Sequence, residues 1–136
     1  MEIKVSYKKR DIEKFVTELH DILNDSNFDS DEDFTLNVKS KPKDKYLFST
    51  EYTLIDLEYD SDDVIRCLRN LEVKDFSQLL LDHDNTIPPY LYVFGIVAES
   101  RLVYVKVKIK GKNGKHVICV SFHYPEHEME FPFKEL

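Results

Sequence analysis

Residues 102–123 read LVYVKVKIKGKNGKHVICVSFH, and the fold turns on how they are read. From Leu102 to Lys110 the chain alternates, with Val103, Val105, Val107 and Ile109 on one side and Tyr104, Lys106, Lys108 and Lys110 on the other. That period of two is a strand's, because successive side chains point to opposite faces. His116 to His123 repeats it, with Ile118, Val120 and Phe122 alternating with Cys119, Ser121 and His123. Between the two runs lies Gly111-Lys112-Asn113-Gly114. Asn-Gly signals a two-residue hairpin turn, whose central residues both take positive φ. Taken literally, the turn sets Lys112 opposite Lys115, Val105 opposite Phe122, Val107 opposite Val120 and Ile109 opposite Ile118. The polar side then pairs Tyr104 with His123, Lys106 with Ser121 and Lys108 with Cys119. A four-residue loop would pair Lys110 with Lys115 and keep the same faces while moving Tyr104 opposite Ser121. The faces are therefore better determined than the register.

Outward from this hairpin, Tyr90 to Val97 reads as an apolar strand after Pro88-Pro89. Upstream, the period changes. Ile12, Phe15, Val16, Leu19, Ile22 and Leu23 follow helical spacing, with Asp11 placed as N-cap and Asn24 near the exit. Ser61-Asp62-Asp63 suits a second helix start, with acids near the positive end of the dipole. Val64, Ile65, Leu68 and Leu71 would form its buried stripe. Phe34 to Val38 reads as a short strand, Tyr46 to Leu57 as helix or strand, and Lys74 to Leu81 as a helical turn or short helix. Helices followed by strands make an α+β plan, with N-terminal helices on a C-terminal antiparallel sheet of about three to four strands. At 136 residues one domain, 1–136, is expected.

The composition narrows the function. The chain carries 26 Asp+Glu and 19 Lys+Arg, a formal net charge of -7, which argues against coating nucleic acid by bulk charge. The charge is unevenly distributed. Residues 1–87, the mainly helical part, hold a net of -9, and residues 88–136, the sheet part, a net of +2. Arg101 to Lys115 contains six bases and no acid, whereas Asp25 to Asp33 (DSNFDSDED) contains five acids and no base, as a solvated loop would. The three glycines form no GxGxxG and no GxxxxGK[ST], so no nucleotide cofactor is expected. Cys67 and Cys119 form no CxxC and read as buried thiols of a cytoplasmic protein. The opening MEIKVSYKKRDIEKF has no apolar signal-type run, and no membrane partner is expected.

The polar side of the hairpin holds the chemistry. If the two-residue turn is right, Tyr104 and His123 have Cβ atoms about 4.5–5.5 Å apart, beside lysines. Histidine exchanges protons near neutral pH, a tyrosine hydroxyl can bond a phosphate or ribose, and lysines stabilise charge developing at phosphorus. An exposed sheet face with Lys and Tyr is also ordinary without any function. His123, Glu126 and His127 could be written as a metal set, but no metal is expected. Cys119 and His123 stand about 13 Å apart along a strand and cannot share an ion. Asp82, His83 and Asp84 offer acid–base groups without a nucleophile.

The run YLYVFGIVAESRLVYVKVKIKGKNGKHVICVSFHYPEHEMEFP, residues 90–132, resembles the MqsR family of type II toxin–antitoxin toxins, particularly its longer members. YVFG (92–95), VYVKVKI (103–109), KNGK (112–115), VICVSFH (117–123) and HEMEFPFK (127–134) carry the likeness. LIDLEYDSDDVIRCLRNLEVKDF (54–76) is similar to the family's helix and the segment that follows it. The resemblance implies a RelE-like fold and a metal-independent endoribonuclease that cleaves mRNA by 2′-OH attack, neutralised by a cognate antitoxin. The family's catalytic tyrosine falls on Tyr104 and a basic residue on His123, where lysine is usual. A family lysine falls on Gln78, which would contact RNA, and a glutamine falls on Leu91. Two expectations follow. In the first, Tyr104 activates the 2′-OH, His123 acts as general acid, and Lys106 with Lys108 hold the phosphate. In the second, the chain is a non-catalytic protein-interaction module on the same scaffold.

Overall fold

The alternating run 101–123 forms two antiparallel strands, β4 (Arg101–Lys110) and β5 (His116–His123), in a computed structural model that describes residues 2–39, 41–83, 90–111 and 114–135. The other elements, in chain order, are α1 (Lys9–Leu23), β1 (Phe34–Leu36), α2 (Thr50–Leu57), α3 (Ser61–Arg69), β2 (Phe76–Leu81) and β3 (Tyr90–Ala98). The sheet has five strands in the order β1-β5-β4-β3-β2, and β1 runs parallel to β5. The fold is α+β as expected, but a purely antiparallel sheet of three to four strands is not what forms. Two strands come from the acidic N-terminal part, so the division into a helical part and a sheet part is only approximate.

β2 replaces the helix expected over 74–81. A 3-10 turn, Val73–Asp75, leads directly into it. Phe76 and Leu79 enter the main core while Leu80 enters a second cluster on the other face. A strand buried on both faces loses its alternation, and a short apolar run then reads equally as helix. The ambiguous stretch 46–57 resolves as the end of a 3-10 turn (Lys43–Phe48) and then α2, capped by Ser49 Oγ accepting from Tyr52 N–H at 3.0 Å. α1 begins two residues before the expected cap. Asp11 serves inside the first turn, accepting the Lys8 N–H at 2.9 Å. The acidic stretch 25–33 is an exposed loop whose carboxylates accept its own backbone N–H groups, as Asp29 does from Asp31 at 2.8 Å.

One face of the sheet carries the helices. The stripes Ile12, Phe15, Leu19 and Leu23 of α1 and Val64, Ile65 and Leu68 of α3 pack with Val103, Val105, Val107, Val117, Cys119 and Phe122. Each such fully buried side chain contributes about 1.5–3 kcal/mol. Arg69 fastens α3 to the end of α1 by donating to Leu23 O at 2.9 and 3.2 Å. Beyond β1, the edge of β5 is covered by α2. There Thr50 and Thr53 hydroxyls accept the N–H groups of Phe122 and Tyr124 at 3.1 and 3.2 Å. Covering an edge in this way blocks further strand pairing.

The hairpin register is split. Tyr104 pairs with His123, Val105 with Phe122 and Lys106 with Ser121, as the two-residue turn requires. Past an irregularity between Lys106 and Val107, the pairs become Val107 with Cys119, Lys108 with Ile118, Ile109 with Val117 and Lys110 with His116. Val120 is the extra residue, as in a β-bulge. Cys119 therefore lies in the main core, fully buried, and not beside Lys108. Val120 moves to the opposite face, where it packs, as Tyr104 does, against the Leu80, Leu91 and Val93 cluster. The connection spans 111–115, with Gly114 N–H donating to Gly111 O at 3.0 Å. It matches neither the two-residue nor the four-residue loop, and Lys112 and Asn113 lie outside the described residues.

The second sheet face is not open either. Leu80, Leu91 and Val93 form a small cluster there, with Val120, Tyr104 and Met129 against it. The C-terminal segment crosses this face as a strap. Phe131 lies directly over Gly95, where a Cβ would stand 2.6 Å from its Cζ. Only the absence of a side chain at Gly95 permits that approach.

Candidate active site

β4 and β5 place Tyr104 and His123 directly opposite one another. Their rings stack in parallel, with centroids 4.9 Å apart and planes 10° from coincidence. They border a cleft of about 600 Å³ walled by the sheet, the N-terminal segment and the C-terminal strap; Lys4, Lys41, Gln78, Lys106, Ser121 and Glu126 also line it. The N-terminal segment is held to the outer edge of β2. Val5 N–H donates to Leu79 O and Leu81 N–H to Ile3 O, both at 2.9 Å.

His123 is 9% exposed, and burial pushes its pKa below the ordinary histidine value. Its hydrogen bond to the Tyr124 carbonyl partly opposes that shift, while Lys41 and Lys106 add to it. Nδ1 lies 2.9 Å from that carbonyl oxygen, which can only accept, so Nδ1 carries the proton. The neutral ring then has its lone pair on Nε2, which makes it a base at neutral pH. Tyr104 is shifted the other way. Burial, reinforced by Glu2, pushes its pKa well up, and the Gln78 side chain partly offsets this. A phenol whose pKa is raised stays protonated and donates a hydrogen bond, and it yields its proton only to a stronger base such as an alkoxide. The pair thus combines a base and a donor in stacked contact.

The lysines separate. Lys106 stays at the site, its Nζ 5.7 Å from the Tyr104 ring centre and 3.2 Å from a Glu2 carboxylate oxygen. Lys108 points from the same sheet face but is 3% exposed and ion-paired to Asp82 at 2.7 Å. It is not among the cleft-lining residues, which does not match the phosphate-holding part expected of it. Gln78, on β2 opposite Val93, reaches the cleft and faces Tyr104. Leu91 is buried in the second cluster, where a polar side chain would face apolar neighbours.

Several site residues had no sequence signal. Lys41, Glu2, Lys4 and the strap reach the cleft from non-periodic segments, where spacing says nothing about facing. Glu126 and His127, which also line the cleft, are the two that the sequence sets beside His123 as a nominal metal set, with no metal expected. Glu126 holds Lys41 and Lys45 at 3.1 and 3.4 Å. Among the described residues no group of three or more His, Cys, Asp or Glu is placed to hold a metal ion, and no helix is long and apolar enough to cross a membrane. The cysteines are free thiols, and burial raises Cys119 to about 12.

In comparisons with known proteins, no family model matches the chain, and neither a curated protein nor a solved structure matches it.

Proposed function

We propose that the protein is an endoribonuclease that cleaves single-stranded mRNA without a metal, acting in the cytoplasm as the toxin of a type II toxin–antitoxin pair. The observation that carries this reading is the stacking of the Tyr104 ring on the His123 ring at the edge of a lysine-bordered cleft. The MqsR-like segment contains both residues, and the fold would be a RelE-like variant enlarged by the parallel strand β1. The roles are exchanged relative to those expected from the sequence. His123 Nε2 takes the proton of a ribose 2′-OH as the 2′-oxygen bonds to phosphorus. The P–O5′ bond breaks, and the departing 5′-oxygen receives a proton from the Tyr104 hydroxyl. The products are a 2′,3′-cyclic phosphate and a 5′-OH. Lys106 balances the charge that develops on phosphorus, because an oriented ammonium is worth most where water is partly excluded.

Purified protein incubated with mRNA in chelator should yield cyclic-phosphate ends. Tyr104→Phe and His123→Ala should each lower the rate by about 10²–10⁴-fold, the range for removed acid–base groups. Unchanged cleavage in both variants would refute the roles. A second reading has its own support, since four glutamates and three lysines line the cleft and the site lysines Lys41 and Lys106 are ion-paired. A non-catalytic module that binds an antitoxin-like protein would share that charge balance. Induced expression separates the two. Growth arrest abolished by Tyr104→Phe with His123→Ala favours the enzyme, and partner binding without toxicity or cleavage favours the module.

A further inference from the structure

Two of the lysines that line the cleft, Lys41 and Lys106, are held by glutamates, and Lys45 joins Lys41 on the same glutamate. Lys41 Nζ lies 3.1 Å from one carboxylate oxygen of Glu126, and Lys45 Nζ lies 3.4 Å from the other, so two ammonium groups grip one anion. Lys106, whose side chain is only 15% exposed, is met by Glu2, whose side chain is 58% exposed. Glu2 rides on a segment joined to β2 by two backbone hydrogen bonds. Lys41, Lys106, Glu126, Glu2 and His123 line the same cleft, so both pairs border the space in front of one imidazole.

We propose that Glu126 and Glu2 fill, from within the chain, two anion subsites beside His123 that take phosphates of a single-stranded polynucleotide. One is the Lys41–Lys45 clamp and the other is Lys106. The proposal rests on the ribonuclease reading only for the identity of the anion. Its physical basis is exchange of like for like. A phosphodiester offers lysine the same charge-assisted bonds as a carboxylate. Each pair keeps one partner at least 29% exposed and so partly screened, and an incoming phosphate can replace a glutamate that swings into water. With both carboxylates in place the cleft repels a polyanion, and with both displaced it attracts one. An acidic protein would in this way admit RNA at one place and ignore it elsewhere.

The test is binding of a fluorescent 2′-O-methyl oligonucleotide of mixed sequence at low salt; it lacks the 2′-OH nucleophile and is not consumed. Glu126→Gln and Glu2→Gln should each tighten binding by about three- to tenfold, as expected for removing one competing charge near the surface. The double variant should tighten it further and steepen its salt dependence. Glu13→Gln, exposed on α1 across the sheet, should leave it unchanged. Lys41→Met with Lys45→Met should abolish the gain made by Glu126→Gln. Thermal denaturation would establish that each variant folds. Unaltered or weaker binding in both glutamine variants overturns the subsites, as does an equal gain from Glu13→Gln. Cleavage assays on the same proteins separate the two readings. Tyr104- and His123-dependent cleavage with unaltered affinity removes the subsites and keeps the ribonuclease. Tightened binding without any cleavage keeps the subsites and removes the ribonuclease.

Discussion

The two ends of the β4–β5 ladder differ by one residue of register. At the site end Tyr104, Val105 and Lys106 face His123, Phe122 and Ser121 as strict alternation requires. At the turn end every pair is displaced, with Val120 taking up the slack. The difference lies in how much contrast each segment holds. Ser121-Phe122-His123 has one apolar residue between two polar ones, so one orientation buries Phe122 and any slip exposes it. Val117-Ile118-Cys119-Val120 is apolar throughout, and either half can face the core at similar cost. The parallel pairing of Phe34, Thr35 and Leu36 with Val117, Ile118 and Cys119 then accompanies the arrangement that forms.

The sharpest way to break this comparison is a pair of substitutions at neighbouring positions. Cys119→Asn places an amide among the apolar side chains of the main core and should cost about 4 kcal/mol. Ile118→Asn, on a half-buried position facing Lys108, should cost about 1 kcal/mol. Urea denaturation midpoints would rank them. The strict register demands the opposite order, because it buries Ile118 and turns Cys119 outward.

A second contrast separates Lys106 from Lys108, two residues apart on one face of β4. The Lys108–Asp82 pair has side-chain exposures of 4% and 11%, whereas those of Lys106 and Glu2 are 15% and 58%. Removing one partner of a buried pair is costly, and removing one at the surface is not. Asp82→Asn should therefore lower stability by about 3 kcal/mol. Glu2→Gln should change it by less than about 0.5 kcal/mol. Equal effects would mean that both lysines are equally accessible to a ligand.

These residues also mark what a sequence can disclose. Alternation placed Tyr104, Lys106 and Lys108 on one face because it is a local rule, whereas Tyr104 meets His123 only because the extra residue Val120 offsets a turn one residue different from the Asn-Gly hairpin. Nothing local distinguishes Lys106 from Lys108, since their fates depend on Glu2 and Asp82, distant in sequence. The same holds for β2, whose Phe76 and Leu80 are buried against opposite faces, and for the strap, where Phe131 finds Gly95 across the chain. α1 and α3 were legible because a single apolar stripe repeats along each. Lys41, Lys45 and Glu126 meet through tertiary approach alone, and no spacing announces it.

Gly95 pairs with Tyr104 on β3, so it probes the site end without touching the ring pair. Gly95→Ala would press a methyl against Phe131 and Met129, with ideal distances of 2.6 and 3.2 Å. Overpacking of this kind should cost about 1–2 kcal/mol. In a Phe131→Ala background the same change should be nearly neutral, and a thermal-denaturation double-mutant cycle would measure the coupling. Independent effects would mean that the strap does not bear on the sheet at Gly95.

The smallest expected effect is the dependence of stability on pH at His123. Burial lowers its folded-state pKa below the unfolded value of 6.5, so the unfolded chain binds the proton more readily. Above 6.5 both states are neutral there, and the group contributes no slope. As pH falls from 6.5 toward the lowered folded value, the unfolded state gains protons first and stability declines. Below the folded value the slope vanishes again. His123→Gln, which keeps a donor for the Tyr124 carbonyl, should remove this part of the slope and leave the rest of the acid transition in place. Urea midpoints between pH 7 and pH 5 would show it. A slope identical in the two proteins would mean that His123 titrates as freely as in the unfolded chain. It would then supply an imidazolium at mildly acidic pH, and the base assigned to it would give way to the acid read from the sequence.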